Sequence, residues 1–395
     1  MPRPLSFIVF LLVAFAVIGL MHRALWVWLV RDAQLPRRAH RAGTVAFGAL
    51  AACAPLGMGA LLLIRHPAAQ LFTVGVFTWL GLALMLLTAL TLLRVPAGLW
   101  LRLAPRPPPE ADASRRRFLA RAAAGSAALA TSGAGVFAFR SATGPALLSE
   151  VPVKIARLPR ALSGFTIAQI SDLHVGPTIG EREVRRVVEQ VNALKPDLVA
   201  ITGDLVDGSV PQLRAATGQL ARLQSRFGSF FVTGNHEYYS GVEEWTRELG
   251  RLGIRVLSNE RVTVGGDVSF DLAGVEDWSG LATAAQGQGS DLGRALEGRD
   301  PERALVLLAH QPRREAVADA VRRGAELTLS GHTHGGQLMP FNLVVGAVFP
   351  YLAGLYRHEE AQVSGHVFVS RGTGYWGPPL RFGAPPELAK LVLTT

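Results

Sequence analysis

The sequence predicts an α/β domain that follows a group of membrane-spanning helices. Long apolar runs with few charges are confined to the first 140 residues and predict the spanning helices. From Phe165 onward, short apolar runs alternate with amphipathic stretches, a pattern typical of strands interleaved with helices. Five polar motifs each follow a predicted strand or begin at its end, so we expect their side chains to share one edge of a sheet.

The charge distribution supports this division. The chain carries a net charge of +10, but residues 1–140 carry +12 and residues 141–395 carry −2. A positive excess confined to the flanks of apolar segments is typical of membrane topology and not of a nucleic-acid-binding face. We therefore expect the membrane, and no nucleic acid, as a specific partner. The single cysteine, Cys53, excludes a disulfide within the chain and gives no compartment signal.

Three apolar runs predict the first membrane spans. Leu5–Met21, Val45–Ile64 and Leu71–Leu93 are charge-free and about long enough to cross a bilayer. Ala24–Val30 either continues the first helix or lies at the interface. A short turn containing Arg65-His66-Pro67 joins the second and third spans. A buried helical bundle in a soluble protein is the alternative, which three long charge-free runs disfavour.

A fourth span is predicted after a segment rich in proline and arginine. Arg94–Arg117 predicts a linker, and it ends in Ser114-Arg115-Arg116-Arg117 directly before Phe118-Leu119. Together with the mildly apolar Ala122–Phe139, this segment resembles a twin-arginine export signal, although 113 residues precede it. A fourth membrane helix with an ordinary basic flank is the alternative. We expect a transmembrane region over residues 1–104, the linker and fourth span over 105–147, and the α/β domain over 148–395.

The arginines of the loops predict the orientation. They are concentrated between the first and second spans and between the third and fourth, whereas the loop between the second and third holds only Arg65. Basic loops stay in the cytoplasm. We therefore expect a multi-pass protein of the inner, cytoplasmic membrane whose amino terminus and α/β domain lie outside the cytoplasm.

Periodicity predicts the elements of the α/β domain. Glu181–Leu194 places four valines on one face and predicts a helix, as do Pro211–Arg226 and Val242–Leu252. Ala325–Leu329 alternates apolar residues with Glu326 and Thr328 and predicts a half-buried strand. Other apolar runs predict further strands at Phe165–Ile170, Leu198–Thr202, Phe230–Thr233, Val256–Leu257, Val262–Val264, Val268–Leu272 and Ala304–Ala309.

The polar motifs carry the candidate chemistry. They are Asp172-Leu173-His174, Gly203-Asp204-Leu205-Val206-Asp207, Gly234-Asn235-His236-Glu237, His310-Gln311-Pro312 and Ser330-Gly331-His332-Thr333-His334-Gly335-Gly336. Glycine permits sharp turns beside the ligands. Oxygen ligands and imidazole nitrogens suit Mn, Fe or Zn, and no thiolate is offered. For the last motif taken alone, a histidine-containing turn without a ligand is the alternative.

The order of these motifs resembles the calcineurin-like metallophosphoesterases. That family shows D-x-H, G-D-x-x-D, G-N-H-E, a lone H and then G-H-x-H, and the resemblance covers Val151 to Thr395. The tail is similar to a bacterial membrane-anchored branch at Ser370–Gly374, Pro379–Phe382 and Pro385–Glu387. The resemblance implies a sandwich of two mixed β-sheets flanked by helices. It also implies hydrolysis of phosphate esters with two divalent or trivalent metal ions, Mn, Fe or Zn.

The resemblance also implies the role of each metal ligand. One metal would be bound by Asp172, His174 and His334, the other by Asn235, His310 and His332, with Asp204 bridging both. His236 is expected to donate a proton to the leaving oxygen or stabilise its charge, and orientation of Asp204 is the alternative. Asp207 and Glu237 are expected to support these groups. Arg371 and Arg381 are candidates for binding the substrate phosphate, with structural roles as the alternative.

These observations predict a membrane-anchored, dinuclear metal-dependent phosphoesterase. Phosphate monoesters, diesters (a phosphodiesterase activity) and pyrophosphate esters all suit such a site, and the anchor favours a lipid-linked or envelope substrate. A catalytically silent metal-binding sensor or regulatory domain on a membrane bundle is the alternative.

Overall fold

The computed structural model describes residues 3–63, 67–103, 109–280, 289–360 and 362–395. The chain divides into two compact units. One comprises Met1–Arg140 with Gly377–Leu380, and the other comprises Ser141–Trp376 with Arg381–Thr395.

The helices of the amino-terminal part are long and apolar. They are α1 (Arg3–Trp26), α2 (Arg37–Leu63), α3 (Pro67–Leu103) and α4 (Pro109–Thr143). A π-helical turn, Val27–Arg31, continues α1. Four helices are long and apolar enough to cross a membrane, over Leu11–Arg31, Arg37–Ala60, Ala68–Trp100 and Ala113–Thr143. Arg65 and His66 of the predicted turn lie outside the described residues.

The predicted linker is helical over its described parts. Its first residues, 94–103, belong to α3, and residues 109–117 belong to α4. Pro109 lies at the first position of α4, where a missing N–H group costs no helical hydrogen bond. The prediction of a linker was therefore wrong for residues 94–103 and 109–117. Alanine, leucine and arginine around Pro96 and Pro109 are strong helix formers, so these two prolines do not prevent a helix.

The strands form two six-stranded mixed sheets. The first sheet has the order β1-β12-β2-β3-β4-β5, and only β12 and β2 pair antiparallel. Its strands are β1 (Leu147–Lys154), β2 (Thr166–Ile170), β3 (Leu198–Ile201), β4 (Ser229–Phe231), β5 (Ile254–Val256) and β12 (Glu387–Thr394). The second sheet has the order β10-β11-β9-β8-β7-β6, with the two edge strands antiparallel to their neighbours. Its strands are β6 (Glu260–Gly265), β7 (Ser269–Gly274), β8 (Leu305–Leu308), β9 (Leu327–Ser330), β10 (Gly354–Glu360) and β11 (Val363–Val369).

The sheets pack face to face between helices, as the resemblance implied. Ile167 and Leu198 of the first sheet share one core with Leu308 and Leu329 of the second. Helices cover the outer faces and the sheet ends: α5 (Glu181–Ala193), α6 (Val210–Thr217), α7 (Asn235–Ser240), α8 (Val242–Arg251), α9 (Leu292–Ala295), α10 (Arg314–Arg322) and α11 (Phe341–Val348). Valines of α5 and Trp245 of α8 pack on the first sheet, and Val317 and Val321 of α10 pack on the second.

Two predicted elements differ from the structure. Strand β9 is buried on both faces, because α10 and the first sheet cover both sides of the second sheet. Thr328 is therefore buried although its polarity predicted exposure. The helix predicted over Pro211–Arg226 ends at Thr217 and is followed by a 3₁₀ turn, Gly218–Arg222, since Gly218 weakens helix propagation.

Candidate metal centre

The five motifs meet at the carboxyl ends of their strands. Strands β2, β3 and β4 are parallel neighbours in one sheet, and β8 and β9 are parallel neighbours in the other. The facing sheets therefore bring together residues that lie as far apart in the chain as His174 and His334, which are separated by 160 positions. Every predicted metal ligand lies in this cluster, and six of the seven are buried. The exception, His332, is partly buried.

The backbone is left-handed at most of these ligands. Asp172, His174, Asp204, His332 and His334 have φ between 50° and 72°. They are five of the nine non-glycine residues with positive φ in the part of the chain that the structure describes. Such conformations cost about 1–3 kcal/mol each and persist where the surroundings impose them, which is common at functional sites.

One half of the centre contains Asp172, His174 and His334. Their candidate ligand atoms lie within 4.8 Å of one another. The Nε2 atoms of the two histidines are 3.1 Å apart, and Nε2 of His334 is 3.5 Å from Oδ1 of Asp172. The carboxylate is held by the Ser171 hydroxyl at 2.5 Å and by the main-chain N–H of His332 at 2.8 Å.

Arg381 decides the proton position on His334. Its guanidinium lies 2.9 Å from Nδ1 of His334, and because arginine can only donate, Nδ1 is the acceptor. A neutral His334 then carries its proton on Nε2, between the two rings. Ligation through Nε2 requires this proton to leave Nε2, so metal binding here would change the contact between His334 and Arg381.

The other half presents three buried candidate ligand atoms, two of which have neither a hydrogen-bond nor an ion-pair partner. They are Oδ1 of Asn235, Nε2 of His310 and Nδ1 of His332. His310 donates through Nδ1 to the Thr202 carbonyl at 2.7 Å, and its Nε2 faces Oδ2 of Asp204 at 3.0 Å. Unpaired buried acceptors are costly unless a further group satisfies them. The residues therefore fit a metal ion in this half.

Asp204 lies between the two halves. Its Oδ2 atom is 3.0 Å from Nε2 of His310 and 4.0 Å from Nε2 of His174. The same atom is 4.0 Å from Nε2 of His236. Oδ1 accepts the main-chain N–H of His236 at 2.9 Å, so the carboxylate is fixed in this central position.

Glu237 joins the loops that carry Asp204 and Asn235. Its buried carboxylate accepts main-chain N–H groups of Gly234 at 2.7 Å, Leu205 at 2.8 Å and Asp204 at 3.0 Å. The sequence suggested only general support by this residue. Burial and the charge of Asp204 raise the pKa of Glu237 to about 7, and hydrogen bonds from the main chain oppose that rise.

Asp207 contacts two histidines at once. One oxygen, Oδ1, accepts from Nδ1 of His174 at 3.2 Å and from Nδ1 of His236 at 2.6 Å. The ring of His236 thereby turns Nε2 towards the centre. Burial by itself lowers the pKa of His236, but the hydrogen bond to Asp207 and the charge of Asp204 raise it to about 9.

The charge states of His332 and Asp204 suit metal binding, whereas the pKa of His310 lies well above its usual value, because the charge of Asp204 outweighs the effect of burial. Burial and the charge of His310 lower the pKa of His332 to about 3, which keeps the imidazole neutral. Burial alone would raise the pKa of Asp204, but the charges of His310, His236 and His174 hold it well below its usual range. Neutral imidazole and ionised carboxylate are the forms that ligate metals.

The two arginines proposed for phosphate binding are engaged elsewhere. Arg381 is fully buried and donates to the main-chain carbonyls of Gly374, Arg371 and His334. Arg371 forms an ion pair with Glu387 at 2.7 Å and a hydrogen bond to Ser149. Both guanidinium groups therefore stabilise the carboxyl-terminal loop in this structure. No local sequence signal links Arg381 to His334, which lies 47 residues away.

Comparison with known proteins identifies the family of the chain. The model of the calcineurin-like phosphoesterase family matches residues 165–336. A metallophosphoesterase of Aquifex aeolicus is 34% identical over 244 residues, which cover 61% of this chain and 89% of that protein. The chain belongs to the calcineurin-like metallophosphoesterase family. The family takes its name from metal-dependent cleavage of phosphate esters.

The names of two other relatives mention both a transmembrane part and a metallophosphoesterase domain. A Bos taurus transmembrane protein with metallophosphoesterase domain is 39% identical over 275 residues, covering 68% of this chain and 61% of that protein. The chain spans about three fifths of the length of the curated relatives with this name. That name and the four apolar helices indicate a membrane protein. The crystal structure of a dimetal phosphatase from Danio rerio has 16% identity and a TM-score of 0.33, covering 53% of this chain and 88% of that chain.

Proposed function

We propose that this metallophosphoesterase is a membrane-anchored, dinuclear metal-dependent hydrolase of phosphate monoesters, diesters or pyrophosphate esters. The observation that carries the proposal is the pair of unpartnered buried atoms on Asn235 and His332 beside the contact between His310 and Asp204. Such atoms are consistent with a built ligand set and not with a solvated polar loop.

The chain offers ligands for two ions. Asp172, His174 and His334 would hold one, and Asn235, His310 and His332 would hold the other. Mn, Fe and Zn all suit these donors. When bound, the ions supply charge stabilisation of the phosphoryl oxygens and activation of water. Asp204 has the position expected of a ligand shared by both.

His236 has the position expected of a group that serves the leaving oxygen. Asp207 binds Nδ1 of its ring, so Nε2 is the atom available to deliver a proton. The main-chain N–H of His236 also holds Asp204, so the residue combines this role with positioning of the carboxylate. We assign Arg371 and Arg381 to loop positioning instead of substrate binding.

Replacing Asp204 with alanine tests the assignment directly. The full chain in detergent would be stripped of metal, reloaded with Mn, Fe or Zn, and assayed on an aryl phosphate monoester and an aryl phosphodiester. We expect turnover to fall more than about 100-fold, beyond the loss seen when a supporting partner of a ligand is removed. Asp267→Ala is the matched control, because Asp267 is exposed and distant from these motifs in sequence.

The possible results separate the enzyme from a silent sensor. Normal turnover and metal content in Asp204→Ala would refute the assignment. Stable binding of metal by the unaltered chain without turnover of either ester would favour a sensor or regulatory domain. The observation that favours this alternative is that Arg371 and Arg381 are occupied by contacts within the chain and do not offer a phosphate-binding group.

We also propose an extracytoplasmic location for the metallophosphoesterase domain, residues 148–395. The arginine-rich loops support it, and Ser114–Leu119 supports export by the twin-arginine route in a bacterial branch of the family. An envelope or lipid-linked ester is the substrate that this location favours. A reporter enzyme fused after Thr395 that is active only in the cytoplasm would contradict the orientation.

A further inference from the structure

A long uncharged segment directly follows the last candidate ligand. Residues 335–356 contain no Asp, Glu, Lys, Arg or His, and they include α11. No residue of α11 is buried, and Leu343 and Val348 are each 69% exposed. Contiguous exposed apolar surface of this kind marks interaction sites.

Two exposed aromatic side chains lie beside another part of the centre. The rings of Tyr239 and Trp376 lie 5.4 Å and 5.8 Å from the ring of His236. Trp376 also contacts the segment before α11, since its main-chain N–H donates to Oε1 of Gln337 at 3.0 Å. We call these exposed side chains the apolar rim: Tyr239, Met339, Phe341, Leu343, Val344, Val348 and Trp376.

The apolar rim is joined to the candidate metal centre through packed contacts. Phe349, directly after α11, packs edge-on against the ring of His332 at 5.2 Å. The Thr333 hydroxyl donates to the Leu352 carbonyl at 2.5 Å. A surface that binds the rim therefore lies beside the groups proposed to hold metal and substrate.

A lipid bilayer is the partner that we expect for the apolar rim, because a candidate membrane-spanning helix leads directly into the domain that carries the rim. Helix α4 ends at Thr143 and β1 begins at Leu147, so only three residues separate a helix long enough to cross a membrane from the first strand. Three residues extend at most about 10 Å. Tryptophan and tyrosine are enriched where proteins meet the membrane–water interface, and the rim contains both.

A second copy of the chain fits the apolar rim less well. Specific protein interfaces use about 20–30 residues on each side, whereas the rim has seven. The rim also lacks charged side chains, which usually set the orientation of a protein partner. A fluid lipid surface needs no such orientation.

We propose that the apolar rim enters the lipid bilayer at the headgroup boundary and seats the candidate metal centre on the membrane surface. Resting on the proposed function, this placement also names the substrate class. The centre would take amphiphilic phosphate esters whose apolar part stays in the bilayer while the phosphate reaches the metal ligands. Esters without an apolar part gain nothing from the rim.

A fluorescent label measures insertion independently of catalysis. The full chain carrying Cys53→Ala and Val344→Cys would be labelled with an environment-sensitive fluorophore and reconstituted in vesicles of phosphatidylcholine and phosphatidylglycerol. We expect lipids brominated on the acyl chain to quench this label several-fold. The same label at Glu189→Cys, an exposed position on α5, should be unaffected.

The quenching result decides the placement of the rim. Absence of quenching at position 344 would overturn the proposal. A blue-shifted emission that brominated lipids leave unchanged would also overturn it, because that result indicates a protein partner, such as a second copy.

Matched substrates test the consequence for turnover. The double variant Leu343→Asp with Val344→Asp would be assayed on two aryl phosphate esters that differ only in a long alkyl chain, the longer one presented in vesicles. We expect turnover of the long ester to fall roughly tenfold or more, the factor for losing one buried aliphatic side chain. Turnover of the short ester should be unchanged, which also shows that the variant is folded.

The outcomes separate this inference from the proposed function. An equal loss on both esters, or no loss on the long one, would overturn the substrate class. Quenching at position 344 without turnover of either ester by the unaltered chain would support insertion and overturn the phosphoesterase assignment.

Discussion

Replacing Glu237 with alanine removes the group that holds together the loops of Asp204 and Asn235. Three main-chain N–H groups lie within 3.0 Å of its carboxylate. Each buried donor left unpaired costs about 1–3 kcal/mol, which sums to about 3–9 kcal/mol. Water entering the space left by the side chain satisfies part of this loss. We therefore expect the free energy of unfolding to fall by about 3–5 kcal/mol, as when one partner of a buried ionic group is removed.

Thermal unfolding of the full chain in detergent measures this loss. A decrease of about 3–5 kcal/mol corresponds to a fall in Tm of about 6–20 °C for a domain of this size. The scan would be recorded in a chelator, so that bound metal does not contribute to stability. Glu244→Ala is the matched control, since Glu244 is exposed on α8, and its effect should stay within about 0.5 kcal/mol.

A small effect of Glu237→Ala would refute this reasoning. If Tm changed by less than about 2 °C and metal content stayed normal, the three hydrogen bonds of Glu237 to the loops would contribute little to stability. The position of Asp204 would then depend on other contacts. One of these is the hydrogen bond that the main-chain N–H of His236 donates to the Asp204 carboxylate.

Two further changes test the support of individual ligands. For Asp207→Asn, we expect metal affinity or kcat to fall about 10- to 100-fold, because a neutral amide replaces the carboxylate that accepts from His174 and His236; a change confined to KM would contradict this. For Gly331→Ala, the added Cβ would meet the side chains of Ser171 and Asp172, so we expect a loss of about 1–3 kcal/mol and of metal, measured by thermal unfolding and metal analysis. Gly250→Ala in α8 is its control, since nothing lies within 4 Å of the added atom; equal stability of the two variants would show that the centre tolerates the methyl group.

Local patterns in the sequence predicted the elements that depend on local properties. The strands that carry the motifs appeared as short apolar runs, because strands covered on both faces exclude charge. The spanning helices appeared as long charge-free runs, because bilayer thickness sets their length. Proline misled the prediction of a linker, since the helices α3 and α4 accommodate Pro96 and Pro109.

The tertiary structure decided how distant groups meet. Alternation in β9 predicted a solvent face, but α10 and the first sheet cover both sides of its sheet. The use of one Asp207 oxygen by two histidines, the burial of Arg381 beside His334 and the exposure of α11 depend on segments far apart in the chain. Residue type and periodicity determined which chemistry the sequence could offer. Only packing in three dimensions determined which atoms face the candidate metal centre, because side-chain direction and burial are set by neighbours that local pattern does not specify.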